Sequence, residues 1–110
     1  MEALPQGGFR LRFEDAAEEP PPAAVATLGR LGSRLAANPD GRVTLTGQAS
    51  GPATDASIAR RLSLARALAV KQALVAGGLA PTRIDIRPMG RTADAVDAVD
   101  IQPPETERAR

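Results

Sequence analysis

A chain of 110 residues has room for one small domain with one modest core. It contains no Cys and no His, so disulfides, thiolate chemistry, serine–histidine catalysis and the usual metal sites lack their residues. A net charge of +1, with Phe9 and Phe13 as the only aromatics, gives nucleic acid neither an electrostatic footprint nor stacking platforms.

Residues 8–14 alternate, with Phe9, Leu11 and Phe13 on one face and Arg10 and Arg12 on the other, which predicts a half-buried strand. Residues 15–22 are acidic and proline-rich, a loop whose prolines suit the first turn of a helix. That helix is expected over residues 23–37, with Val25, Leu28, Leu31 or Gly32, and Leu35 at helical spacing. Gly29 and Gly32 weaken it by roughly 1 kcal/mol each relative to Ala, and are expected to allow close approach to the sheet. Asn38, Pro39, Asp40 and Gly41 fit a type I turn. Residues 42–46 alternate again with Val43 and Leu45 inward, and residues 47–53 form a loop. Thr54 or Asp55 caps a second helix by accepting from its free N–H groups. That helix runs to about Ala76 and stops at Gly77 and Gly78, with Pro81 beyond. A third strand is expected over residues 83–87, with Ile84 and Ile86 inward, and a last strand over residues 95–102, carrying Val99 and Ile101 on one face.

The order β-α-β-α-β-β predicts an α+β two-layer sandwich, a four-stranded mixed sheet with two helices on one face. Crossovers through helices make the first three strands parallel and leave the last one antiparallel. If the last strand lies beside the first, Asp100 pairs with Arg10 or Arg12 on the wet face. Residues 1–8 read as a lead-in linker, 9–102 as the domain and 103–110 as a flexible charged tail.

Gly47, Leu62, Ser63, Arg66, Ala67, Val70, Leu74 and Gly90, with Phe13 in the first strand, form a pattern that resembles the OmpA-like C-terminal domain family over residues 11–102. The resemblance implies a periplasmic, non-catalytic module that associates with peptidoglycan, part of a cell-envelope or outer-membrane-associated protein. It implies no cofactor and no metal. No stretch approaches the ~20 apolar residues of a membrane span, and no signal peptide is visible over residues 1–9. An export signal or anchor is therefore expected upstream of this chain. In the family an Asp in the loop pairs with the ammonium of a diaminopimelate centre, and an Arg in the helix forks onto its carboxylate.

This chain departs from that pattern at the site itself. Ser50 stands where the Asp is expected, Gln48 where His or Tyr is common, and Ala59 where an Asn is expected. Arg66 would be the surviving cationic half of the clamp, or else only a salt-bridge partner. Ser50 hydrogen-bonds but carries no charge, and losing a charge-assisted bond costs about 1.5–3 kcal/mol, roughly tenfold to a hundredfold in affinity. Asp55 either replaces the lost acid or simply caps the helix. The expected ligand-binding set is thus Arg66, Ser50, Gln48 and Asp55, with reduced or altered affinity for the stem peptide.

Leu64, Leu68 and Val75 form a second apolar line, offset by about 100° from the core line of Ala67, Val70 and Leu74. Either it widens the face against the sheet and first helix, or it is an exposed patch for a protein partner or a homodimer. A protein-interaction or dimerisation module that has lost wall binding is therefore the alternative function.

Overall fold

The computed structural model describes residues 1–5, 7–38, 41–52 and 54–104. Its elements are β1 (Glu2–Ala3), β2 (Phe9–Arg12), α1 (Pro22–Ala37), β3 (Val43–Gln48), α2 (Ala56–Ala76), β4 (Ile84–Pro88) and β5 (Ala98–Gln102), with a short 3-10 turn at Pro81–Arg83 before β4. The sheet order is β1-β2-β5-β3-β4. Only β3 and β4 pair in parallel, while β5 inserts antiparallel between β2 and β3. Strands β2, β3 and β4 therefore point the same way and β5 opposes them, as the crossovers require. The central place of β5 explains why Ala98, Val99 and Ile101 are wholly buried.

The sheet has five strands rather than the four expected. The extra one, β1, lies in the stretch read as a lead-in and pairs Glu2 with Arg10 and Ala3 with Phe9. Pro103 and Pro104 at the other end are buried, and the rest of the expected tail, like Pro39, Asp40 and Ala53, lies outside the described residues.

Both helices cover one face. Leu28, Leu31 and Leu35 of α1, Ala67, Val70 and Leu74 of α2, and Val43, Leu45, Val99 and Ile101 of the sheet form one core with Leu11 and Phe13. Val25 does not belong to it: its side chain is 46 % exposed, and Ala24 packs against the core in its place. Of the two α1 glycines, Gly32 serves the contact with α2, not with the sheet, while a Cβ on Gly29 would meet nothing within 4 Å. A Cβ on Gly32 would collide with the Leu74 carbonyl, and a Cβ on Gly77 with the Gly29 carbonyl. Ser33 Oγ, donating to Gly77 O at 2.6 Å, ties the same two helices together.

The outer face of the sheet carries the charges. Arg10 forks onto Asp100 at 2.7 and 3.0 Å, which is the pairing expected of neighbouring first and last strands. Arg12 turns to Glu2 of β1 instead, and Arg42 forks onto Asp85.

Candidate functional site

The β3 strand ends at a crowded junction with α2. Gly47 is required there, because a Cβ would collide with the Ser63 carbonyl. Ser63 is wholly buried; its hydroxyl donates to Arg60 O at 2.8 Å and accepts from the Gly90 amide at 3.0 Å. Ala49 N donates to Gly90 O, and Met89 N to Gly47 O. These bonds join the loops after β3 and β4 to one turn of α2, and Arg66 lies one turn further on.

Arg66 is 0 % exposed. Its Nε donates to Ala17 O at 2.6 Å, Nη1 to Gln48 O at 3.0 Å and Asp97 Oδ1 at 2.8 Å, and Nη2 to Glu14 O at 3.0 Å. Four of the five N–H groups of the guanidinium thus have acceptors. Its Cζ also lies 5.2 Å from the centre of the Phe13 ring. A desolvated cation needs this many partners to remain charged.

The expectation of a cation without an acidic counterpart is corrected by Asp97, just before β5. Asp97 Oδ1 accepts from both Arg66 and the Ser50 amide, the latter at 2.9 Å. Burial pushes this carboxyl up, but the Ser50 amide, the Arg66 guanidinium and the Ser50 hydroxyl outweigh burial and hold it below its ordinary value of 3.8. The two described non-glycine residues with positive φ flank this pair. Ala16, at φ 63°, lies in the loop whose Glu14 and Ala17 carbonyls accept from Arg66, and Ala95, at φ 50°, closes the turn just before Asp97. Such backbone costs of order 1 kcal/mol and persists where surrounding bonds fix it.

The other expected residues are placed as follows. Ser50 is half-buried and sits against Asp97 through its backbone amide. Gln48 is 5 % exposed; its Nε2 donates to Asp100 Oδ2 at 3.1 Å, and its main-chain carbonyl is one of the Arg66 acceptors. Arg66, Gln48 and Ser50 are therefore brought together. Asp55 is exposed at the start of α2, where it accepts from Ser57 N at 3.0 Å and Ser57 Oγ at 2.6 Å, a helix cap with its carboxyl lowered chiefly by those bonds. Leu64 and Leu68 are 39 % and 42 % exposed, whereas Val75 is half-buried and packs against the edge of the core. Asp97 was missed by sequence reasoning. Its signal was phase: it stands two residues before the inward Val99, so an acid falls on the core side of the strand. Among the described residues no group of three or more acidic residues could hold a metal ion. No helix among them is long and apolar enough to cross a membrane.

Residues 12–109 match the model of the OmpA family. No curated protein sequence matches the chain significantly. Among solved structures, the C-terminal domain of Helicobacter pylori MotB is similar at a TM-score of 0.74 and 16 % identity, covering 94 % of this chain and 90 % of that one. The peptidoglycan-associated lipoprotein of Burkholderia pseudomallei gives 0.73 at 15 % identity, covering 84 % and 87 %. An outer membrane protein of Borrelia burgdorferi B31 gives 0.72 at 15 % identity, covering 94 % and 95 %. At these identities the likeness is one of fold.

Proposed function

The chain belongs to the OmpA family, and from that premise we propose that it is a peptidoglycan-associating domain of a bacterial envelope protein, working in the periplasm. As a member of that family it is a binding module and not an enzyme. The observation that carries the reading is the placement of Arg66 by α2 against the end of β3 at Gln48, with Ser63 and Gly90 locking the loop that follows to the helix. Peptidoglycan-associated lipoprotein is itself among the structures of this fold.

The same geometry supports a weakened or altered site. Ser50 offers no charge to a ligand ammonium, and Arg66 already serves Asp97 and three carbonyls. A ligand carboxylate reaching Arg66 would have to displace the loop of residues 14–17. Co-sedimentation of the domain with purified sacculi tests the reading, with a family domain that keeps the loop Asp as the standard. Retention weaker than the standard by roughly tenfold to a hundredfold is expected. Absence of retention would remove the cell-wall function, and retention equal to the standard would remove the weakened site.

The exposure of Leu64 and Leu68 favours a second reading, a protein-interaction or dimerisation surface on α2. Leu68, Lys71, Gln72, Val75, Ala76 and Pro81 line a shallow, mainly apolar groove beside it. Light scattering over a concentration series separates the two: mass that rises with concentration and falls back to the monomer in Leu68→Glu supports the interaction surface.

A further inference from the structure

The charges of this chain are sorted by layer. All 13 acidic residues lie outside α1 and α2, whereas Arg30, Arg34, Arg60, Arg61 and Lys71 stand on the helices in addition to the buried Arg66. The net charge of +1 therefore hides a helical layer whose own charges are all positive. On the sheet, arginine is matched by acid: Arg10 by Asp100, Arg12 by Glu2 and Arg42 by Asp85. On the helices, Arg30, Arg60, Arg61 and Lys71 have no carboxylate partner among the described residues, and Arg30 donates to the Thr27 hydroxyl at 3.2 Å instead. Two acids reach the rim of the layer, Asp55 as the cap of α2 and Glu18 in a hollow shared with Arg61.

This arrangement opposes helix stability. Arg30 and Arg34 stand one turn apart with like charge, and neither helix carries the acid–base spacing that supports a surface helix. Apolar side chains are exposed among the same cations: Val25 on α1, and Ile58, Leu64 and Leu68 on α2. From Ile58 to Lys71 this mixture extends along about 20 Å of α2. The helical layer is thus basic and apolar at once, and it lies opposite the sheet face on which Arg10 and Arg12 are paired.

We infer that the helical layer is a docking surface for an anionic lipid bilayer, its cations meeting headgroup phosphates and its exposed Val25, Ile58, Leu64 and Leu68 entering the interface between them. The inference goes beyond the cell-wall reading and does not depend on it. The charge pattern selects the occupant. A second copy laid face to face would set cation against cation, with no acid on either helix to relieve the repulsion. A nucleic acid would meet the arginines but give the leucines no apolar partner. An acidic protein would have to place carboxylates at separated points on two helices, whereas a fluid lipid surface brings a headgroup to each of them. Every cation near such a surface strengthens attachment about fivefold.

Co-sedimentation of the full chain with mixed phosphatidylglycerol and phosphatidylcholine vesicles tests this, with vesicles of phosphatidylcholine alone as the control. Binding is expected on the anionic vesicles only. It should weaken as salt is raised, because the screening length falls from about 10 Å at 0.1 M to about 3 Å at 1 M. Arg30→Gln, Arg61→Gln and Lys71→Gln combined should weaken it about a hundredfold. Leu64→Gln with Leu68→Gln should weaken it as well and leave the salt dependence in place. These are changes on the outer side of the helices, and an unchanged thermal midpoint shows that the fold is kept. Equal binding to both kinds of vesicle, or binding indifferent to the three charge removals, would overturn the inference. Leucine variants that bind like the wild type would do so too, since nothing would then enter the interface. No sedimentation with either vesicle would also overturn it, and capture by polyglutamate in that case would assign the layer to an acidic protein. Retention on sacculi is read separately, so failure on vesicles leaves the cell-wall reading standing.

Discussion

On α2 the face turned inward holds Arg66 at 0 % exposure, while the face turned to solvent holds Leu64 and Leu68 at 39 % and 42 %. Sorting residues by polarity alone would exchange them. What decides their places is the supply of partners. A guanidinium surrounded by Asp97, Gln48 O, Glu14 O and Ala17 O replaces the water it gave up. Among the described residues the leucines have no facing element, because α1 and the sheet are already in contact with the line of Ser63, Ala67, Val70 and Leu74. Exposed leucines are ordinary on protein surfaces; a buried arginine is the informative residue of the two. The inner face of α2 is thus a fixed polar joint set into an apolar core, and the outer face is surface without a structural task.

Arg66→Ala is the sharpest way to break that contrast. It takes the guanidinium away from three main-chain carbonyls and the Asp97 carboxylate and leaves a void beside Phe13. Denaturant unfolding should show a loss of about 3–5 kcal/mol, the range for removing one partner of a buried pair. Arg66→Lys should recover little, since one ammonium cannot reproduce the planar fork that reaches acceptors on both sides. A loss below about 0.5 kcal/mol, typical of surface changes, would mean that the inner face has no such joint.

Asp97→Asn tests the other half of the joint more gently. An amide oxygen still accepts from Ser50 and Arg66, so only the charge assistance is lost, about 1.5–3 kcal/mol. The pH dependence gives an independent check. The Asp97 carboxyl lies below its ordinary 3.8 in the folded chain, so its contribution is complete above that unfolded value. It is lost as pH falls through the lowered one. Wild-type stability should therefore drop on acidification in that window, and Asp97→Asn should show a shallower slope. Asp55 and Asp85 are lowered too, by Ser57 and Arg42 respectively, so some slope remains in the variant. Identical slopes in the two proteins would show that Asp97 is not held by Arg66 in solution.

Gly47→Ala examines the same inner face through its packing. The added methyl has no room between β3 and the Ser63 carbonyl, so α2 must shift by the margin that places Arg66 under Gln48. A cost of about 1–3 kcal/mol is expected in thermal or denaturant unfolding.

Much of this was legible in the sequence. Period-2 runs around Leu11, Val43, Ile84 and Val99 give the strands, and the caps at Asp55 and at Gly77 and Gly78 bound α2 within a residue or two. Strand direction followed from the crossovers, and the Arg10–Asp100 pair from supposing β5 beside β2. The fifth strand was not legible, because a two-residue edge pairing has no period to detect. Nor was the partner of Gly32: an apolar stripe tells that a helix packs, not whether a helix or a sheet faces it. At the site, Arg66 and Ser50 were found by motif, but Asp97 is 31 residues from Arg66 and belongs to no motif. Two charges at core phase, one on α2 and one entering β5, were the available sign that the chain had paired them.

Leu68→Glu should have the smallest effect of all, and that is its use. Leu68 is on the solvent side of α2, and the substitution removes little buried area and exchanges one good helix former for another. Stability should stay within about 0.5 kcal/mol of the wild type. Lys71, one turn on at a spacing of three, is near enough to accept the new charge. If unfolding instead shows a loss of about 2 kcal/mol or more, as burial of a leucine would require, the outer face is covered in solution. The midpoint would then depend on protein concentration if a second copy is the cover, because association stabilises only the folded, paired state. A concentration-independent loss would place Leu68 inside the monomer's own core, and the contrast between the two faces of α2 would fail on its apolar side.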